Sequence, residues 1–348
     1  MDFDFSPDQQ QLKDQARRFL AGQCDRTAVR AVLDGPQSFD ARLWQGLADQ
    51  GYLGAAIPEA YGGLGASHLE LCVVAEELGR AVAPVPFSSS IGLAAELLLI
   101  AGTEAQKQRW LPALASGQTI GTLALAERPG RTTAATIQTT AAKSVLNGTK
   151  LPVADGDIAH LGVVAARDAA GGVSLYLVDL TASGVTREVL PSIDPTRSQA
   201  RITFSNAEAE PLGAAGQGLA IVSAAYDRAA VLIAFEQVGG ADAALQAACA
   251  YAQERFAFGR PIGSLQAIKH MLADMYVSAT LARSNAYYGA WALSTASAEL
   301  PQAAAAARVS ATQAYQHCSR NNIQVHGGMG FTWEFDCHLH YRRANLLA

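Results

Sequence analysis

Residues 251–275, YAQERFAFGRPIGSLQAIKHMLADM, bring an arginine, a phenylalanine and a glutamine to one corner of the chain. Leu245, Ala248, Cys249, Ala252 and Phe256 share one apolar face at helical spacing, so Arg255 is expected on a neighbouring face near the end of that helix. Pro261 forbids simple continuation, and a second helix is expected to leave straight from the corner. A guanidinium held there supports two chemistries. It is either a solvated cation favoured by the helix dipole, or a planar fork aimed at an anion such as a pyrophosphate.

A second stretch, NNIQVHGGMGFTWEFDCHLHYRRA, takes a helix into Gly327, Gly328 and Gly330, with Gln324 one turn earlier. Glycines in such a loop let backbone amides approach a ligand closely. Other glycine clusters are weaker. GGLGAS at 62–67 follows no strand, and GAAGQG at 213–218 lacks dinucleotide spacing, so both are expected to be turns. Cys337, His338, His340 and His326 have metal-capable side chains but no paired-ligand spacing, and no metal site is expected. Serine elbows and H-E-x-x-H helices are absent, which leaves hydrolytic chemistry without a foothold.

The elements that must position these residues follow from the hydrophobic period. From Pro7 to about Ser116 apolar residues recur at helical spacing (Leu12, Ala16, Phe19, Leu20), with breaks at Gly35-Pro36 and from Pro58 to Gly65. From about Thr119 to Pro211 the pattern becomes short β-rich runs, with an Asn147-Gly148 turn. After Gly218 the helical period returns, rich in alanine, as suits long, closely packed helices. The expected organisation is α+β: a helical domain at 1–118, an antiparallel β domain at 119–211 and a helical bundle at 212–348.

At 348 residues the chain exceeds one ordinary hydrophobic core. No run reaches the roughly 18 uncharged apolar residues of a membrane span, the nearest being interrupted by Glu96, and the acidic start MDFDFSPDQQQ is unlike an export signal. A cytoplasmic protein without a membrane span is expected. Five cysteines without a C-x-x-C pair read as reduced packing residues. The net charge of −5 and the lack of a basic stripe exclude nucleic acid as the expected partner.

The corner and the glycine loop together resemble the acyl-CoA dehydrogenase family. Its R-x-x-F-G-x-P-I…Q motif stands here as Arg255, Phe258, Gly259, Pro261, Ile262 and Gln266, and its Q-x-x-G-G-x-G motif as Gln324, Gly327, Gly328 and Gly330. The likeness runs from FDFSPDQQQLKD through LNGTK to YRRA. It implies the family fold, with a four-helix bundle at the carboxyl end. It also implies FAD as cofactor, with Arg255, Phe258, Gln266, Gln324, Gly327 and Gly328 clamping the ADP half of a flavin that belongs chiefly to a neighbouring subunit. The implied chemistry takes an α-proton from an acyl-CoA thioester with a carboxylate while the β-hydrogen leaves as hydride. The implied electron acceptor is an electron-transfer flavoprotein, and the implied state a dimer or tetramer.

Departures from the family pattern are specific. The flavin loop Thr-Glu-Pro-Gly-x-Gly-Ser reads AERPGRTT, with Ala126 at the first hydroxyl, and the Trp-Ile-Thr/Ser run reads KLPVADG, with Pro152 at the indole and Ala154 at the hydroxyl. Of the family's two glutamate positions, one falls on Ala229 and the other beyond Ala348. Asp227 lies two residues away, a helical rotation of about 200° onto another face. The pattern resembles the smaller, base-lacking subunit of heteromeric acyl-CoA dehydrogenases, some of which act on steroid-derived thioesters. A self-sufficient homo-oligomer using an atypical base such as Asp227, and a flavin-free scaffold that binds CoA thioesters, remain as alternatives.

Overall fold

The structure, a computed structural model, describes residues 5–348. Phe3 and Asp4, which open the amino-terminal likeness, lie outside the described residues. Helices occupy the chain up to residue 115, strands run from Gly121 to Leu212, and helices resume at Gly218. By contact the chain divides into two compact units.

One unit comprises residues 32–67 and 84–229. Its sheet contains β1 (Gly121–Ala124), β2 (Thr140–Ala142), β3 (Val145–Ala154), β4 (Leu161–Arg167), β5 (Val173–Asp179), β6 (Val185–Leu190), β7 (Gln199–Glu208) and β8 (Glu210–Leu212). The order is β6-β7-β3-β2-β4-β5-β8, with β1 beside β4. The antiparallel expectation holds for most pairs but fails at β1 and β2, which both run parallel to β4. Strand direction there is set by long-range docking that alternation of side chains does not encode. β4 and β5 are buried on both faces and read as continuous apolar runs. Leu161, Val163, Leu175 and Leu177 pack with Leu97 and Leu98 of the Phe87–Ala101 helix and Leu111 and Leu114 of the Glu104–Ala115 helix.

The other unit comprises residues 5–31, 68–83 and 230–348. It holds helices Pro7–Gln23 and His68–Ala81, most of Gly218–Glu254, then Gln266–Ser294, Leu300–His326 and Cys337–Leu346. The last four are the bundle. A Ser6 capping box starts the first helix, and its Lys13 reaches Glu76 at 3.0 Å. The 218–254 helix alone among the described residues is long and apolar enough to cross a membrane by length and composition. At its centre, however, Glu236 takes an ion pair from Arg343 at 3.1 Å and Gln237 accepts from Arg308 at 2.8 Å. Those partners come from neighbouring helices of the bundle.

His340, on the last helix, is buried, with one ring nitrogen 3.0 Å from Arg26 Nη2 and the other 3.1 Å from the Tyr315 hydroxyl. Burial, then the charges of Arg26, Arg343 and Arg80, hold it well below the ordinary histidine range. The folded chain therefore keeps His340 neutral where the unfolded chain takes up a proton, and stability is lost as pH falls below about 6.5. His340→Gln keeps an acceptor for Arg26 near the Nε2 position without the titration. Denaturation midpoints at pH 7.5 and 5.5 should drop less for that variant than for the natural chain.

Candidate functional site

The 218–254 helix ends where the corner begins. Arg255 N–H donates to Tyr251 O at 2.9 Å, and its carbonyl accepts from Ile262 N–H at 2.8 Å. Between the helices stands a two-stranded hairpin, Phe256–Ala257 against Arg260–Pro261, followed by a 3-10 turn at Ile262–Ser264. The expected direct exit into a second helix is thus corrected, as is the placement of Phe256 on the buried face, for it is 62% exposed. Phe258 and Gly259 form the loop with φ of 54° and 76°, the positive values of a tight hairpin turn. A bulky residue in that region is strained, and Phe258 recovers nothing by packing, since 92% of it is exposed.

Arg255, Gln266 and Gln324 are exposed, and among the described residues their side chains make no hydrogen bond or ion pair. Gln266 opens the 266–294 helix, whose first amides no side chain caps. Gln324 sits in the last turn of the 300–326 helix, ahead of Gly327 at φ 60°, ψ −139°, a conformation open to glycine almost alone. A Cβ added to Gly327 or Gly328 meets nothing within 4 Å, whereas one on Gly330 would lie 2.6 Å from Ile323 O. The first two leave room above the loop, and the third closes it down. Hairpin and loop are joined by Tyr251, whose ring stacks on His326 at 4.0 Å with an interplanar angle of 23°. Sequence reading missed this pair, although Tyr251 stands one helical turn before Arg255.

The flavin-loop positions lie in the other unit. Leu151 N–H donates to Ala126 O at 2.9 Å, and Thr122 donates to Ala154 O at 2.6 Å. Lys150, fully buried, bolts the two segments together through Glu127 at 2.8 Å and Leu125 O at 3.0 Å. Burial lowers the lysine's proton affinity and Glu127 restores part of it. These contacts leave Ala126, Pro152 and Ala154 with neither hydroxyl nor indole to offer a flavin ring. Arg255, Gln266 and Gln324 thus present polar groups beside the open loop at Gly327 and Gly328, while positions 126, 152 and 154 present none.

Ala229 is buried on the 218–254 helix. Arg228 beside it pairs with the buried Glu96 at 2.8 Å. Asp227 is half-buried and, among the described residues, without a hydrogen bond or ion pair; burial pushes its carboxyl upward. Cys337, His326 and His340 line a cavity of about 230 Å³ with Arg26, Asn322 and Asp336, and no set of metal-ligand geometry occurs among the described residues.

Residues 6–118 match the family model described as acyl-CoA dehydrogenase, N-terminal domain, and residues 216–348 that described as acyl-CoA dehydrogenase, C-terminal domain. The acyl-CoA dehydrogenase IpdE2 of Mycobacterium tuberculosis is 34% identical over 97% of this chain and 91% of its own length. Butyryl-CoA dehydrogenase from Megasphaera elsdenii is 26% identical with a TM-score of 0.92, covering 100% of this chain and 95% of that one. A chain of the ChsE4–ChsE5 complex from Mycobacterium tuberculosis is 28% identical with a TM-score of 0.90, covering 100% and 94%. Sequence likeness over nearly the full length of IpdE2, joined to the same helix, sheet and bundle order, makes this chain a member of the acyl-CoA dehydrogenase family.

Proposed function

We propose that this chain is the flavin-clamping subunit of a heteromeric, FAD-dependent acyl-CoA dehydrogenase. It grips the ADP end of a cofactor whose ring pocket and general base reside in a homologous catalytic chain. One observation supports this above the rest. Arg255, Phe258, Gln266 and Gln324 stand exposed and, among the described residues, their side chains are unengaged, while alanines occupy positions 126, 154 and 229. In such a complex FAD supplies the hydride acceptor. Arg255 offers a planar fork to the pyrophosphate, Phe258 an aromatic face, and the two glutamines amide donors and acceptors. Gly327 and Gly328 leave room for the nucleotide against the backbone.

A positioned base contributes about 10²- to 10⁴-fold in rate, and with alanine at position 229 the proton acceptor is assigned to the partner. The ChsE4–ChsE5 structure, a complex of two named chains, supports a pairing with a second chain. The substrate is then an acyl-CoA thioester and the acceptor an electron-transfer flavoprotein, in the cytoplasm. Asp227 favours a second reading, a homo-oligomer with its own atypical base, because burial raises its carboxyl and no partner engages it.

Co-expression with a homologous dehydrogenase chain that carries the glutamate separates the two. The clamp reading expects a colourless lone chain and a yellow complex with one FAD for each pair of chains. A lone preparation that is fully loaded with FAD and bleaches with an acyl-CoA would overturn it.

A further inference from the structure

We propose that Tyr251 is the positioning residue that sets the span between the two arms of the clamp, through the stack of its ring on His326. The inference rests on the clamp reading above. Tyr251 acts on both arms at once. Its carbonyl accepts the Arg255 N–H at 2.9 Å, which fixes where the hairpin leaves the helix. Its ring lies 4.0 Å from that of His326, the residue immediately before Gly327. Among the described residues no side-chain hydrogen bond joins Arg255 or Phe258 to Gln324, so the two arms are coupled by packing, in which this ring stack lies nearest Gly327.

The far side of the stack is also fixed. His326 Nδ1 lies 2.8 Å from Asn322 O, one helical turn back, which orients the imidazole. Phe335 stands edge-on to both rings, at 6.3 Å from Tyr251 and 5.9 Å from His326. The glycine loop folds back closely on His326, since a Cβ on Gly330 would lie 2.8 Å from the histidine's own Cβ. Moving the Tyr251 ring therefore moves His326, and with it Gly327 and Gly328. A nucleotide held by donors on both arms is sensitive to displacements of about 1 Å in such a span.

The test uses the co-expressed complex and reads FAD retention on dilution together with the thermal midpoint. Tyr251→Leu removes the stack and is expected to raise FAD loss about tenfold, while Tyr251→Phe keeps the ring and should stay within about twofold of the natural chain. Leu293→Ala sits in the same bundle about 40 Å along the 266–294 helix from Gln266. It reports what general destabilisation alone does to retention. If Tyr251→Leu does not assemble, Tyr251→His, which keeps a smaller ring in the stack, is expected to lose FAD faster than Tyr251→Phe, and retention equal to that of Tyr251→Phe would overturn the positioning role. Retention in Tyr251→Leu no worse than in Leu293→Ala at equal midpoint would overturn the positioning role, as would a Tyr251→Phe as leaky as Tyr251→Leu. Arg255→Ala distinguishes the failures. If it also retains FAD, the clamp reading falls; if it loses FAD while Tyr251→Leu does not, only the positioning inference falls.

Discussion

Arg255→Ala should release FAD from the complex about ten- to a hundredfold more readily, because a hydrogen-bonded contact to a charged group contributes about 1.5–3 kcal/mol. Folding should be untouched. The guanidinium is exposed and, among the described residues, bonds to nothing, so its removal leaves no buried partner stranded. Arg255→Lys should fall between the two, keeping the charge but losing the planar fork. Release should also grow steeper with added salt in the natural complex than in the alanine variant. The competing account treats Arg255 as a solvated cation at the carboxyl end of the 218–254 helix. That account expects the alanine variant to lose about 0.3–1 kcal/mol of stability and no flavin. Absorbance at 450 nm per chain, read beside a denaturation curve, decides between them, and unchanged flavin content would remove Arg255 from the site.

The order of helices, sheet and bundle was legible because the hydrophobic period changes twice, near residues 119 and 218, and each change is local in sequence. The parallel docking of β1 and β2 on β4 was not, since three- and four-residue strands carry little register information. At the corner, the residue types and the proline announced a break. The hairpin itself stayed hidden because its turn uses Phe258-Gly259 where Asn-Gly or Asp-Gly is the usual signal. A strained phenylalanine in place of asparagine is a local inconsistency of the kind expected where a side chain is kept for a ligand or a partner. The link between the arms was also invisible, because Tyr251 and His326 are 75 positions apart and neither belongs to a motif.

The glycines of the helical unit were the least legible, and they support the largest expected effect on stability. In sequence Gly79 and Gly239 look like weak spots inside helices, each costing about 1 kcal/mol against alanine. In space they are where two backbones touch. A Cβ on Gly239 would lie 1.8 Å from Glu76 O, and one on Gly79 would lie 1.8 Å from Glu236 O. Both obstacles are main chain, so only separation of the 68–81 and 218–254 helices can relieve them. That separation would also disturb the charges that surround the crossing. Glu76, wholly buried, receives Lys13 at 3.0 Å and Arg283 at 3.1 Å, and Arg80 of the first helix pairs with Asp242 of the second. Overpacking costs about 1–3 kcal/mol, and the half-buried Arg80–Asp242 pair that spans the two helices would be strained as well. Gly239→Ala is therefore expected to lose at least about 3 kcal/mol, the upper end of overpacking, because main chain cannot yield as a side chain does. Gly22→Ala, in the 7–23 helix with nothing within 4 Å of the new methyl, should instead gain up to about 1 kcal/mol. The same substitution at two helical glycines is thus expected to move the denaturation midpoint in opposite directions. Equal, small shifts would mean that the two helices do not cross in backbone contact.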